Sequence, residues 1–287
     1  RQNEGKFKQF ITQLSIIEKI SLVIVFLFLF LMMFGPNIAP FDPEKPNTEI
    51  SLQAPDRIHW LGTDENGMDI FSRVIAAPRV DIFVGLVSAL LSVAVGIPLG
   101  IIAGIFEGAR NRTASLVSGG ILRLLDVLQA FPVFILAMVL VAIRGRSVGN
   151  IITAIAFVNT PVFLRLARTE VLTLRERTYA EAARSIGNTD LSLAFKHLLP
   201  NALPPLLSQI SVTVGFAILL TAGLSFVGAG IAPPTPELGG MIAGGARNMV
   251  LGYWWPALFP GVTLGVIVFC FSNAGDALSR LLDPVRN

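Results

Sequence analysis

Thr178-Tyr-Ala-Glu-Ala-Ala-Arg-Ser-Ile-Gly187, continued by Asn188-Thr-Asp-Leu-Ser-Leu-Ala-Phe-Lys-His-Leu-Leu-Pro-Asn201, is a polar stretch in the middle of an apolar chain. Its residue order predicts a short helix, a glycine turn and a second short helix. Thr178 with Glu181 three residues later has the form of a capping box. Ala180, Ala182 and Ala183 favour helix with little bulk. Gly187 suits the left-handed position that ends a helix, and Asn188 or Thr189 can cap the next one. Leu191, Phe195 and Leu198 fall at i, i+4 and i+7 and predict one apolar face. Lys196 and His197 sit near its C-terminal end, where positive charge is favoured, and Pro200 is expected to stop it. Cap chemistry alone leaves Glu181 and Gly187 open between a helix cap and stop and a surface with a task.

Around this stretch the chain is oily. Of its 287 residues, 53% are hydrophobic and 14% charged, against roughly 25% charged in a soluble domain. The net charge of +3 leaves no footprint for nucleic acid. The single cysteine, Cys270, excludes an internal disulfide, and His59 and His197 lie far apart, so no metal-binding spacing exists. The chain reads as an all-α integral membrane protein.

About 20 apolar residues cross the hydrocarbon of a bilayer, and six candidate spans follow: 20–39, 82–106, 113–143, 148–166, 203–231 and 254–282. The first is too long, and lacks the cleavage site, to be a signal peptide. The third, 31 residues, would reach about 46 Å if straight. Phe131-Pro132 marks a kink in it, with 113–130 along the membrane interface and the remainder within the membrane.

Arg1, Lys6, Lys8 and Lys19 before the first span place the N-terminus inside. Alternation then puts 107–112, with Arg110 and Arg112, the loop 167–202 and the tail 283–287 inside, and 40–81 outside. From Arg165 to Asn201 there are six Lys/Arg and four Asp/Glu; from Gly35 to Asp81 there are four and eight. The short outer loop with Arg144 and Arg146 runs against the bias. Pro36, Pro40, Pro43, Pro46 and Pro55 make the outer segment irregular and stiff. It reads as a folded cap or as a surface for another protein, with the cap favoured.

Gly96, Gly100, Gly104 and Gly108 recur every fourth residue on the second span, a spacing that lets helices approach closely; packing within the chain is expected over a dimer contact. Intramembrane charge is costly and marks function by default, but Arg123, Asp126, Asn273 and Asp276 are read as structural pairing residues. Ser208, Gln209, Ser211 and Thr213 put polar groups into the apolar fifth span and are the candidate lining of a translocation path; bonding across helices is the alternative.

Glu181-Ala182-Ala183, three residues, Gly187, nine residues, then His197-Leu198-Leu199-Pro200 closely resembles the EAA loop of ABC importer permeases. The general pattern has Ile where His197 stands. The His-x-Leu-Pro-Asn form is similar to the dipeptide/oligopeptide/nickel branch. Trp60-Leu-Gly-Thr-Asp64, Gly67-Met-Asp69, Ser72-Arg73 and Pro78-Arg79-Val80 extend the likeness, with Met68 where that branch usually has Arg. So do Arg123-Leu-Leu-Asp126, Phe131-Pro132, Leu224-Ser-Phe-Val-Gly228 and Pro233-Pro-Thr-Pro236. Leu238-Gly239 replaces the common Trp-Gly. Phe259-Pro260-Gly261, Asn273-Ala-Gly-Asp276 and Asp283-Pro284 complete it.

The resemblance implies a type I importer permease, the C-type member of a heterodimeric pair, in a bacterial inner membrane. It implies two ATP-binding subunits carrying ATP and Mg, and an extracytoplasmic solute-binding protein. It assigns Tyr179, Glu181, Ala182, Ala183, Arg184 and Gly187 to a coupling helix that docks on the ATPase. The chain has no Walker-type phosphate loop, so ATP hydrolysis is expected elsewhere, with no catalytic or metal residue here. A self-contained secondary carrier or intramembrane enzyme is the alternative; no repeat, catalytic dyad or metal motif favours it.

Overall fold

In the computed structural model the described residues are 14–108 and 111–282, without the side chains of 276 and 278–282. Expectations for the basic residues before Leu14, for Arg110, for the side chain of Asp276 and for Asp283-Pro284 lie outside them.

The first long apolar run forms α1 (Ile16–Ile38), started by a reciprocal cap between Ser15 and Glu18. A short helix, α2 (Ile70–Ala76), leads into α3 (Pro78–Phe106). The 113–143 run breaks where Phe131-Pro132 stands. α4 (Arg112–Gln129) and α5 (Val133–Arg144) meet at 90°. α6 (Val148–Leu174) follows after a tight turn. Next come α7 (Thr178–Ser185), α8 (Asp190–Leu193), a π turn at Ala194–Leu198, and α9 (Leu199–Phe226). α10 (Leu238–Met249) and α11 (Trp255–Leu282) close the described chain. Among the described residues, five helices are long and apolar enough to cross a membrane, six if the bent α4–α5 pair counts as one span.

Pro200 does not stop a helix. It lies in the first turn of α9, where the missing N–H has no intrahelical partner to lose, so the chain runs from the π turn straight into the span.

The most extensive helix pair is α3 with α6, and glycine is the reason. A Cβ on Gly96 would lie 2.7 Å from the Thr160 carbonyl oxygen. On Gly100 it would lie 2.4 Å from that of Leu164, and on Gly104 2.9 Å from Val171 Cγ1. Any side chain there would push the helices apart, so the every-fourth pattern is used within the chain. The last of the series, Gly108, instead turns the chain at φ +73°. Around this pair, Ile82, Ile218, Ile267 and Phe271 pack α3, α9 and α11 together with Phe28 of α1. Val84, Val141, Ile155 and Leu224 join α3, α5, α6 and α9. The outward face of α1 stays apolar, with Phe26 70% exposed, as a surface solvated by lipid or by another span requires.

One end of the bundle is closed by residues 39–77. The segment is mostly turns, yet tightly tied. Leu52 N–H donates to the Asp64 carbonyl at 3.0 Å, and Thr63 N–H to that of Gln53 at 3.0 Å. Arg73, only 5% exposed, donates to the carbonyls of Pro43 at 2.7 Å and Pro234 at 3.2 Å. Burying a guanidinium requires such partners. Trp255 Nε1 donates to Thr63 O at 3.2 Å. Glu65 accepts from Arg247 at 3.0 Å and Asn248 at 3.2 Å. The segment is thus bolted to α10 and α11 of its own chain.

α10 was not expected from sequence. Glu237 caps it, accepting from Gly239 N–H at 2.9 Å and Gly240 N–H at 2.7 Å. Asp81 at the start of α3 accepts from Leu238 N–H at 3.2 Å. Burial holds the Glu237 carboxyl above its usual range, against the pull of the Gly240 N–H, Ser225 and the Gly239 N–H.

Candidate functional site

The opposite end carries the helix–glycine–helix stretch. Its first helix starts one residue earlier than the sequence suggests. Arg177 is the N-cap of α7, with no side-chain cap bond, and its carbonyl accepts from Ala180 N–H at 2.9 Å and Glu181 N–H at 3.3 Å. Thr178 is thereby inside the helix, and the Thr178–Glu181 capping box does not form. This frees the Glu181 carboxylate to face outward. The helix ends as expected. Gly187 has φ +88°, Asn188 N–H reaches back to Ala183 O at 3.2 Å, and Asn188 Nδ2 donates to the same oxygen at 3.0 Å. Thr189 then caps α8 through Ser192 N–H at 3.3 Å.

α7 has two faces. Ala180 and Ala183, three residues apart, are buried against Ile101 of α3, Val171 of α6, and Leu193 and Leu198 of the returning strand of chain. Their small size lets the helix lie close to the bundle. Tyr179, Glu181, Ala182, Arg184 and Gly187 are exposed. Of the six residues assigned by resemblance, five point outward and Ala183 inward. Burial raises the Tyr179 hydroxyl's pKa above its ordinary value, opposed by Arg177.

The apolar face expected from Leu191, Phe195 and Leu198 is split. Leu198 is buried with Leu193 and Ala194, while Leu191 and Phe195 are exposed. The π turn over Ala194–Leu198 advances the chain by a wider turn than 3.6 residues and breaks the i, i+4, i+7 register. Sequence reasoning also missed Ile186, 82% exposed. The available signal was an isoleucine at a helix end where its short amphipathic partner offers no buried position.

Beside α7 lies a cleft of about 590 Å³ lined by charged side chains, among them Glu107, Arg175, Glu181, Arg184 and Asp190. Arg184 donates to Arg175 O at 3.2 Å and approaches Asp190 at 3.8 Å. That ion pair is exposed and contributes little. Arg168 and Glu107 are joined by two bonds of 2.7 Å. The hydrogen bond from Arg168, reinforced by its charge and that of Arg175, holds the Glu107 carboxyl below the usual range.

The four polar residues of the fifth span are not gathered at one surface. Ser208 donates to Gly275 O at 3.4 Å, and Ser211 packs against Gly275 of α11. Gln209 Nε2 donates to Thr213 Oγ1 at 3.3 Å, and Thr213 is buried. Asn273 donates to the Phe269 carbonyl at 2.8 Å. Among the described residues Arg123 and Asp126 form no ion pair with each other.

With this geometry in view, known proteins give the frame. Residues 96–285 match the sequence profile of a family described as "Binding-protein-dependent transport system inner membrane component". The chain belongs to that family. The probable D,D-dipeptide transport system permease protein DdpC of Escherichia coli K12 is 39% identical over 92% of this chain and 86% of that protein. The di/tripeptide transport system permease protein DppC of Pseudomonas aeruginosa is 38% identical over 92% of this chain and 86% of its own length. The glutathione transport system permease protein GsiD of Pectobacterium atrosepticum is 36% identical, covering 91% and 84%. In fold, the chain matches a solved inward-facing MetNI methionine ABC transporter with a TM-score of 0.64, at 19% identity, over 75% of this chain and 98% of that one. It is an integral membrane permease with the type I ABC importer fold.

Proposed function

We propose that this permease passes peptides or closely related solutes into a bacterial cytoplasm, driven by ATP hydrolysis on separate subunits. The peptide class is supported by the curated relatives, each a transport system permease for dipeptides, di/tripeptides or glutathione by its name. The α7 end faces the cytoplasm of an inner-membrane protein whose two termini lie on that side. The cap over residues 39–77 faces outward, where a solute-binding protein delivers its cargo. A second, homologous permease completes the pore as a heterodimer, and two ATP-binding subunits hold ATP and Mg.

The observation that carries this reading is the outward face of α7. An amphipathic helix of about two turns is seated on alanines, and with its C-cap it presents Tyr179, Glu181, Arg184 and a nearly bare Ile186 to solvent. Ile186, with Leu191 and Phe195 half-exposed on the same structured loop, supports docking of another protein. Tyr179, Glu181, Ala182, Ala183, Arg184 and Gly187 form the docking element, the first five in the helix and Gly187 in its terminating turn. Ser208, Gln209, Ser211 and Thr213 are assigned to the translocation path.

The test is co-purification from membranes expressing the whole transporter. Glu181→Lys is expected to insert normally and to lose the ATP-binding subunits and uptake of labelled peptide. Full assembly and full uptake in that variant would refute the docking assignment. Uptake by the chain alone, without ATP, would instead make it a self-contained carrier.

A further inference from the structure

Three side chains at the base of α7 form a device that the docking reading leaves unused. Glu107 follows the last residue of α3. Arg168 lies on α6, and Arg175 is the residue that ends α6. Arg168 grips Glu107 with a two-bond fork, Nε to Oε2 and Nη2 to Oε1, both 2.7 Å. This is the strongest geometry available to an arginine and a carboxylate. Arg175 Nη1 donates to Gly104 O and to Glu107 O, both at 2.9 Å. These carbonyls belong to the last turn of α3, where helix acceptors lack intrahelical partners and positive charge is favoured. Arg184 of α7 in turn donates to the Arg175 carbonyl. The ends of α3 and α6 are therefore cross-linked, and Arg184 in the last turn of α7 ties that helix to the residue that ends α6. Directly above, Gly100 and Gly104 hold α3 against α6 at backbone distance.

The other exit from α7 is built differently. It reaches α9 through the π turn at Ala194–Leu198. A π turn is a locally widened step in a helix. One exit is tied by side-chain hydrogen bonds, and the other is held by packing of Ala194 and Leu198.

We propose that Glu107, Arg168 and Arg175 are a clamp that makes the α3–α6 pair move as one body with α7. On this view α3–α6 is the arm that carries the motion into the membrane. The three residues are positioning residues: they touch neither solute nor nucleotide. The inference rests on the reading of α7 as the docking helix. It goes beyond that reading by naming which spans the docking helix drives.

The test uses the complete transporter in liposomes, with Glu107→Cys and Arg168→Cys in this chain and the buried Cys270 retained. Without cross-linker the double variant is expected to bind its ATP-binding subunits normally. Its peptide uptake per ATP hydrolysed should fall on the order of tenfold, the equivalent of losing one charge-assisted bond pair. A short bifunctional thiol reagent that ties the two positions should restore uptake per ATP in the same protein sample, which removes misfolding as an explanation. The clamp is overturned if the untied variant couples as well as wild type, or if the tie blocks or fails to restore uptake. A parallel Ile186→Asp variant monitors the underlying reading. If that variant keeps its ATP-binding subunits, the docking assignment has failed, whatever the tie does.

Discussion

The two ends of this bundle solve opposite problems. The end built from residues 39–77 satisfies itself. Arg73, Thr63 and Asp69 are buried; Arg73 and Thr63 bond to distant parts of the same chain, and Asp69 pairs with His59 within the segment. At the other end α7 and α8 make only sequence-local hydrogen bonds among the described residues, and Ile186, Leu191 and Phe195 are uncovered. Buried polar atoms satisfied within one chain mark a finished surface. The cap also exposes Ile58 and Trp60, so what separates the ends is the reach of their polar bonds. Both ends sit on the same glycine-tight α3–α6 pair, so the difference reflects what each end must do and not how well the spans pack.

Two glycines sharpen the contrast and give the largest expected effect. Gly67 in the cap has φ +71°, and a Cβ there would sit 1.7 Å from the Asn47 carbonyl oxygen. Gly187 has φ +88° with open space around it among the described residues. Gly67→Ala combines backbone strain with a clash against backbone and should destabilise the protein by about 3 kcal/mol or more. It should appear as a lower Tm of the purified transporter and poor yield. Gly187→Ala meets strain alone, about 1 kcal/mol, confined to the turn. Equal Tm losses for the two would erase the distinction between the ends.

Ile186→Asp is the next largest effect and runs in the reverse sense. The free chain should keep its Tm, because the side chain is already in solvent. Affinity for the ATP-binding subunits should drop by about 1.5–3 kcal/mol, the value of burying such a side chain at the interface. Titration of detergent-solubilised permease with those subunits measures it. An unchanged affinity would mean that the uncovered isoleucine is incidental.

Much of this was legible beforehand because it depends on local chemistry. Phe131-Pro132 had to break its run, Gly187 had to turn, Thr189 had to cap, and Gly96, Gly100 and Gly104 had to meet another helix. The failures share a cause, which is that distant contacts outweighed local preference. α10 carries Gly239, Gly240, Gly244 and Gly245, poor helix formers. It exists because Gly239 must lie against the Ala222 backbone and Gly245 against Pro256 and Ala257. Pro200 looked like a stop, but the π turn before it delivers the chain into a first helical turn. Leu191, Phe195 and Leu198 looked like one buried face, but the π turn sets Leu198 apart and only it is buried. In the candidate site, the resemblance supplied the residues proposed to dock; Glu107, Arg168 and Arg175 carry no motif and become visible only when α3 and α6 are side by side.

The smallest effect concerns that trio and its pH dependence. The hydrogen bond from Arg168, with the added charge of Arg168 and Arg175, lowers the Glu107 carboxyl below the usual glutamate range. A group lowered on folding contributes stability above its unfolded pKa, about 4.3, and loses it as pH falls through the lowered folded value. At neutral pH the contribution is therefore complete, and it is partly screened because the Arg168 and Glu107 side chains are 26% and 33% exposed. Glu107→Gln should then lower the Tm by a small, constant amount between roughly pH 6 and 8, with the gap to wild type closing below about pH 4. The cap end offers the control. Asp56 is also lowered, by the His59 and Ile58 N–H groups, so Asp56→Asn should change the same acid limb without altering uptake per ATP. Only the Glu107 variant should move both. If Asp56→Asn moved both as well, the two ends would be coupled more closely than their bonding implies.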